Sequence, residues 1–122
     1  LKNKDNIIQV INQTAVISSH SLATILELNA NEMKMMLSDE DNNLKHYGNT
    51  IIDESNGSYG VYLNERQTYS FLTNFNDISK LNYIKRRLLS DFFYVQTKLL
   101  KKKRRREIKK HIKVLTSLNN GV

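Results

Sequence analysis

Residues 17–37 read Ile17-Ser18-Ser19-His20-Ser21-Leu22-Ala23-Thr24-Ile25-Leu26-Glu27-Leu28-Asn29-Ala30-Asn31-Glu32-Met33-Lys34-Met35-Met36-Leu37, and the spacings inside this stretch decide the fold class. Leu22, Ala23, Ile25 and Leu26 form an apolar face at helical spacing behind the hydroxyls of Ser18 and Ser19, which are competent N-caps. After Glu27-Leu28-Asn29 the pattern restarts with Met33, Met36 and Leu37 and reaches on to Leu44, with Asn29 or Asn31 as the cap. A helix-turn-helix needs a small residue where its helices cross, an apolar residue in the turn and an apolar inward face on the following helix. Ala23, Leu28, and Met33 with Leu37 fill those three places.

Upstream, Ile7, Ile8, Val10 and Ile11 behind Asp5 predict a helix over about residues 5–14. Downstream, Thr50-Ile51-Ile52-Asp53-Glu54 and Tyr59-Gly60-Val61-Tyr62-Leu63 flank Ser55-Asn56-Gly57-Ser58, the pattern of a hairpin around an Asn-Gly turn. Helix, helix, helix, hairpin is the winged helix order. The expected fold is therefore mainly α with a small β-hairpin wing: a winged helix-turn-helix over residues 1–64, followed by a helical extension over 65–122. In that extension one helix from Glu65 carries Tyr69, Phe71, Leu72 and Phe75. A second, from about Ser79, carries Leu81 and then Ile84, Leu88, Phe92, Val95 and Leu99 at steps of four, four, three and four. That is an a/d seam, and it predicts a homodimer contact through Ile84, Leu88, Phe92, Val95 and Leu99. The stripe loses phase across Lys101–Arg106 and resumes at Ile108, Ile112 and Leu115. A bend near residue 100, a new helix, or one continuous basic helix would each produce that pattern.

The stretch 17–37 resembles the amino-terminal winged helix of the Mga and phosphotransferase-regulated (BglG/LicR-type) bacterial transcription regulators, whose pattern runs apolar, hydroxyl, three residues, then Leu-Ala. Asn49 to Leu63 is similar to the wing and closing strand of the same family, so the resemblance covers about residues 5–75. It implies double-stranded DNA as partner, a regulator that answers to sugar uptake or virulence conditions, and wing contacts from Ser58 and Tyr59. The chain departs from the family in its recognition helix. Where Arg or Lys is usual, it has Ala30, Asn31, Glu32, Lys34 and Met35, followed by the acidic run Ser38-Asp39-Glu40-Asp41. Asn reads adenine and Lys reaches guanine, so Asn29, Asn31 and Lys34 are the candidates for base contacts there. Arg105 to Leu115 resembles a degenerate second recognition helix, although Lys101 and Lys103 stand where a preceding helix would need apolar residues.

Charge points the same way. Residues 1–80 hold six Lys/Arg against ten Asp/Glu, a net −4, whereas residues 81–122 hold thirteen against two, a net +11. Lys98, Lys101, Lys102, Lys103, Arg104, Arg105, Arg106, Lys109, Lys110 and Lys113 crowd together with Glu107 as the one acid among them. Like charges at i+3 and i+4 destabilise an isolated helix, so a polyanion is the natural partner. Tyr83 and Tyr94 near these cations are candidates for stacking on unpaired bases, and Phe92 and Phe93 for packing or for the dimer seam.

The same residues exclude several chemistries. The chain has no cysteine and hence no disulfide or thiolate site, and no proline to break its helices. His20, His46 and His111 lack the spacing of a metal site, and Ser18, Ser19 and Ser21 lack a base and an oriented acid. Asp39-Glu40-Asp41 lacks the alternating ligands of a calcium loop, and Gly57 and Gly60 sit in a hairpin rather than a phosphate loop. Neither catalysis nor a cofactor is expected. No apolar run reaches membrane length and no leader pattern opens the chain, so a cytoplasmic location and no membrane partner are expected. Two other classes stay open: a protein-interaction module whose winged helix does not bind DNA, and a basic amphipathic helix on an anionic membrane or RNA surface.

Overall fold

The computed structural model describes residues 7–53 and 60–120. It is mainly helical, with a small antiparallel sheet. Strands β1 (Ile8–Ile11) and β2 (Thr14–Ser18) come first, then helices α1 (Ser19–Leu26), α2 (Ala30–Asp39) and α3 (Asp41–His46). Strands β3 (Ile51–Ile52) and β4 (Val61–Leu63) follow, then helices α4 (Glu65–Leu72) and α5 (Ile78–Asn120). The sheet order is β1-β2-β4-β3.

The helix expected over residues 5–14 is not there. Ile8 pairs with Ile17 and Ile11 with Thr14, in a hairpin turned by Asn12 and Gln13. Both turn residues take positive φ, 52° and 64°, as a two-residue type I′ turn requires, and its twist matches that of the strands it joins. The β-branched run Ile7, Ile8, Val10, Ile11 satisfies helical spacing and strand propensity together, and pairing with β2 settles it.

From Ser18 onward the local signals act as read. The Ser18 hydroxyl oxygen accepts the Ser21 N–H at 3.1 Å and starts α1. Glu27 ends it in the left-handed conformation, φ 59°, with its N–H bonded to the Ala23 carbonyl. Ala23, Met33 and Leu37 are buried and Leu28 packs against the same cluster. The run toward Leu44 is broken at Glu40 into α2 and α3. The expected hairpin is present as β3 and β4, with Ile51 opposite Tyr62 and Ile52 opposite Val61. Its tip, with Ser58 and Tyr59, lies outside the described residues.

One apolar cluster joins Ile8, Ile17 and Leu63 of the sheet, Leu22, Leu37 and Leu44 of the first three helices, Phe71 of α4, and Leu81 through Val95 of α5. Core residues thus lie on both sides of residue 64. The dimer seam is accordingly corrected: Leu88 and Phe92 are fully buried and Ile84 and Val95 nearly so within this chain, with Leu99 packed at the edge. An a/d stripe requires a partner surface, and here the chain's own body supplies it.

Candidate nucleic-acid interface

Helix α5 packs against β1, β2 and α4 and then continues without interruption to Asn120. There is no turn before Arg105, so residues 105–115 are not the second helix of a separate helix-turn-helix. At 100° per residue, Lys102, Arg106, Lys109 and Lys113 fall on the face that carries Ile84, Leu88, Phe92 and Val95 earlier in the helix. Ile108, Ile112 and Leu115 fall on the opposite face. The loss of phase near residue 100 therefore has a simple origin: α5 runs off the body, and the side that faced the core turns cationic within one turn. Every residue from Leu100 to Leu118 is exposed. None of the cations from Lys101 to Lys113 makes an ion pair among the described residues.

Lys98, Lys101, Lys102 and Arg105 are brought together along a groove beside β1. The Lys98 ammonium stands 4.6 Å from the centre of the Tyr94 ring, a cation–π contact that holds it at this edge. Tyr83 and Tyr94 are exposed, whereas Phe92 is core and Phe93 is 69% exposed, so Phe93 does not pack as expected. The β1–β2 hairpin that builds this groove is what sequence reasoning missed; Asn12-Gln13 between two β-branched runs was the available signal.

The candidates on α2 sit elsewhere. Asn29 is the N-cap of α2 in a reciprocal box: its Oδ1 accepts the Glu32 N–H at 2.8 Å, and its own N–H donates to Glu32 Oε1 at 3.0 Å. Bidentate adenine reading needs that same oxygen as acceptor, which leaves Asn31 and Lys34 as the uncommitted polar side chains of the set. Both are exposed, beside Met35, which is 67% exposed. Glu32, Asp39 and the following Glu40 and Asp41 make this helix net acidic.

No protein-family model, curated protein or solved structure matches this chain. What α5 does has to be read from its own chemistry.

One polar contact braces the scaffold under these surfaces. Ser19 Oγ, itself buried, accepts the Val61 N–H at 3.0 Å and ties the start of α1 to β4. Nearby, His20 Nε2 stands 4.0 Å from Oδ2 of the buried Asp53. Among the described residues no group of three or more acidic or imidazole side chains is placed to hold a metal ion, and no helix is long and apolar enough to cross a membrane.

Proposed function

We propose that this chain is a DNA-binding protein of the transcription-regulator kind, in which α5 from Lys98 to Lys113 supplies phosphate affinity. In this reading β2, α1, α2, β3 and β4 form a winged helix-turn-helix that orients the molecule. The observation that carries it is the exposed surface of α5 from Lys98 to Lys113, where Glu107 is the one acid among ten cations. At 1.5 Å per residue, residues 98–113 extend about 24 Å, and duplex DNA presents a negative charge about every 1.7 Å of its axis. Each phosphate neutralised releases counterions, so a helix of this kind gains affinity that no internal ion pair offers it. The helix-turn-helix packing of Ala23, Leu28, Met33 and Leu37, and the resemblance of residues 17–37 and 49–63 to the Mga and BglG/LicR-type winged helix, support a role in transcription.

A salt titration of binding to mixed-sequence duplex DNA tests the proposal. Changing Lys101, Lys102, Lys103, Arg104, Arg105 and Arg106 to Gln is expected to remove most of the affinity and to reduce the salt slope by about three to four, at roughly 0.9 per lost phosphate contact, because Lys101, Lys102, Arg105 and Arg106 share one side of the helix and Lys103 and Arg104 point away from it. Asn31→Ala with Lys34→Ala is expected to leave the slope nearly unchanged and to affect discrimination between sequences. No binding of the intact chain at low salt overturns the proposal. A second reading, a protein-interaction module, is favoured by the acidic α2 with Met35 exposed at its surface. It predicts a complex that is broken by Met35→Glu and is unaffected when Lys101 to Arg106 are changed to Gln.

A further inference from the structure

The groove between β1 and α5 has a volume of about 640 Å3, inside the range of roughly 300–1,000 Å3 typical of small-molecule sites. Its floor is apolar, built from Ile8 and Val10 of β1 and from Val95 and Leu99 of α5. Ile8 and Val95 are buried, whereas Val10 is 48% exposed, so the floor extends to solvent. Along its rim stand Lys98, Lys101, Lys102 and Arg105, and among the described residues no carboxylate contributes to the lining. A phosphate backbone alone would account for the rim and gain nothing from the floor. A neutral apolar molecule would account for the floor and gain nothing from the rim.

We propose that this groove binds a small amphiphilic anion: an aliphatic chain laid on Val10 and Leu99, with a carboxylate or similar head paired to the ammonium and guanidinium groups of the rim. Lys98 is held in place for this by its contact with Tyr94. An anion in the groove offsets one positive charge among Lys101, Lys102 and Arg105 and occupies side chains that are also phosphate-binding cations in the DNA reading. The ligand therefore lowers DNA affinity, a consequence that rests on that reading, whereas binding of the anion itself does not.

Calorimetry of the full chain without DNA, using octanoate, decanoate and dodecanoate below their micelle concentrations, is the direct test. Affinity should rise about two- to fourfold with each added methylene, as partial burial of the chain requires. Decanol should bind at least tenfold more weakly than decanoate. Val10→Glu, at an exposed position, and the pair Lys98→Gln with Lys101→Gln should each weaken decanoate at least tenfold, while Lys110→Gln with Lys113→Gln, outside the groove, should change it less than twofold. Absence of binding, affinity independent of chain length, or affinity that follows total positive charge and ignores Val10 overturns the proposal. Adding saturating decanoate to the DNA titration then separates the two readings. Anion binding without loss of DNA affinity overturns the regulatory half, and anion binding by a chain that binds no DNA upholds the groove and removes the transcription reading.

Discussion

Gln67 shows how much of this fold hangs on single polar groups. It is almost fully buried, and its amide is completely used. Nε2 donates to the carbonyls of Leu44 and Gly48, each at 3.1 Å, and Oε1 accepts the Asn64 N–H at 2.9 Å. Asn64 in turn caps α4 and donates to the Tyr47 carbonyl at 3.1 Å. One side chain thus closes the end of α3 against the start of α4. Gln67→Leu keeps the bulk and leaves a part-buried N–H and two carbonyls without their partner, so unfolding in urea should show a loss of about 2–3 kcal/mol. Gly48, at φ 143°, occupies backbone space that L side chains rarely enter, and a Cβ there would stand 3.0 Å from Asn64 Nδ2. Gly48→Ala should cost about 1–3 kcal/mol, measured in the same way, and a neutral result would mean that this junction relaxes freely.

At the scale of elements the telling case is α5, where two phenylalanines in succession have opposite fates. Phe92 is fully buried and Phe93 is 69% exposed. Phe92→Ala should lower stability by about 3–5 kcal/mol, while Phe93→Ala should change it by less than about 0.5 kcal/mol, and neither loss should depend on protein concentration. A concentration-dependent melting temperature for wild type that Phe92→Ala abolishes would restore the dimer seam. Asp91 adds a pH signature. Burial raises its carboxyl above the ordinary carboxylate range, with Arg87 pulling the other way. A raised folded pKa favours folding at low pH, and that contribution is lost as pH rises through it, so ionised Asp91 costs stability near neutrality. Asp91→Asn should raise the stability measured in urea slightly at pH 7, by less than about 0.5 kcal/mol after solvent screening, and not at pH 3. The sequence carries α1, α2, α4 and the β3–β4 hairpin openly, because caps such as Ser18, Asn29 and Asn64 act within three residues of themselves. It conceals the β1–β2 hairpin and the fate of the α5 stripe because both depend on a partner distant in sequence. Ile8 becomes a strand residue only opposite Ile17, and Leu88 becomes core only against the sheet.

At the scale of the whole molecule, opposite demands meet in one helix. Up to Val95, α5 is held by burial of Leu81, Ile84, Leu88, Phe92 and Val95; from Leu100 to Leu118 every residue is exposed. The outer part keeps its helix by propagation from a template, which spares it the cost of nucleation. Like-charged neighbours such as Lys102 and Arg106, Arg105 and Lys109, and Lys109 and Lys113 oppose it at about 0.2–0.5 kcal/mol per pair. The templated part should therefore open only with global unfolding, and the cationic part should open locally and often. Amide hydrogen exchange at low salt is expected to show strong protection for residues 84–95 and little for residues 101–118. Adding duplex DNA removes the repulsion, so protection should rise across 101–113 and remain unchanged across 84–95. Strong protection of 101–118 in the free protein would mean that the basic helix needs no anion to hold it, and the argument from repulsion to a polyanionic partner would fail. Protection that appears with DNA alone, and fades as salt displaces it, would join the helix's stability and its ligand in a single electrostatic cause.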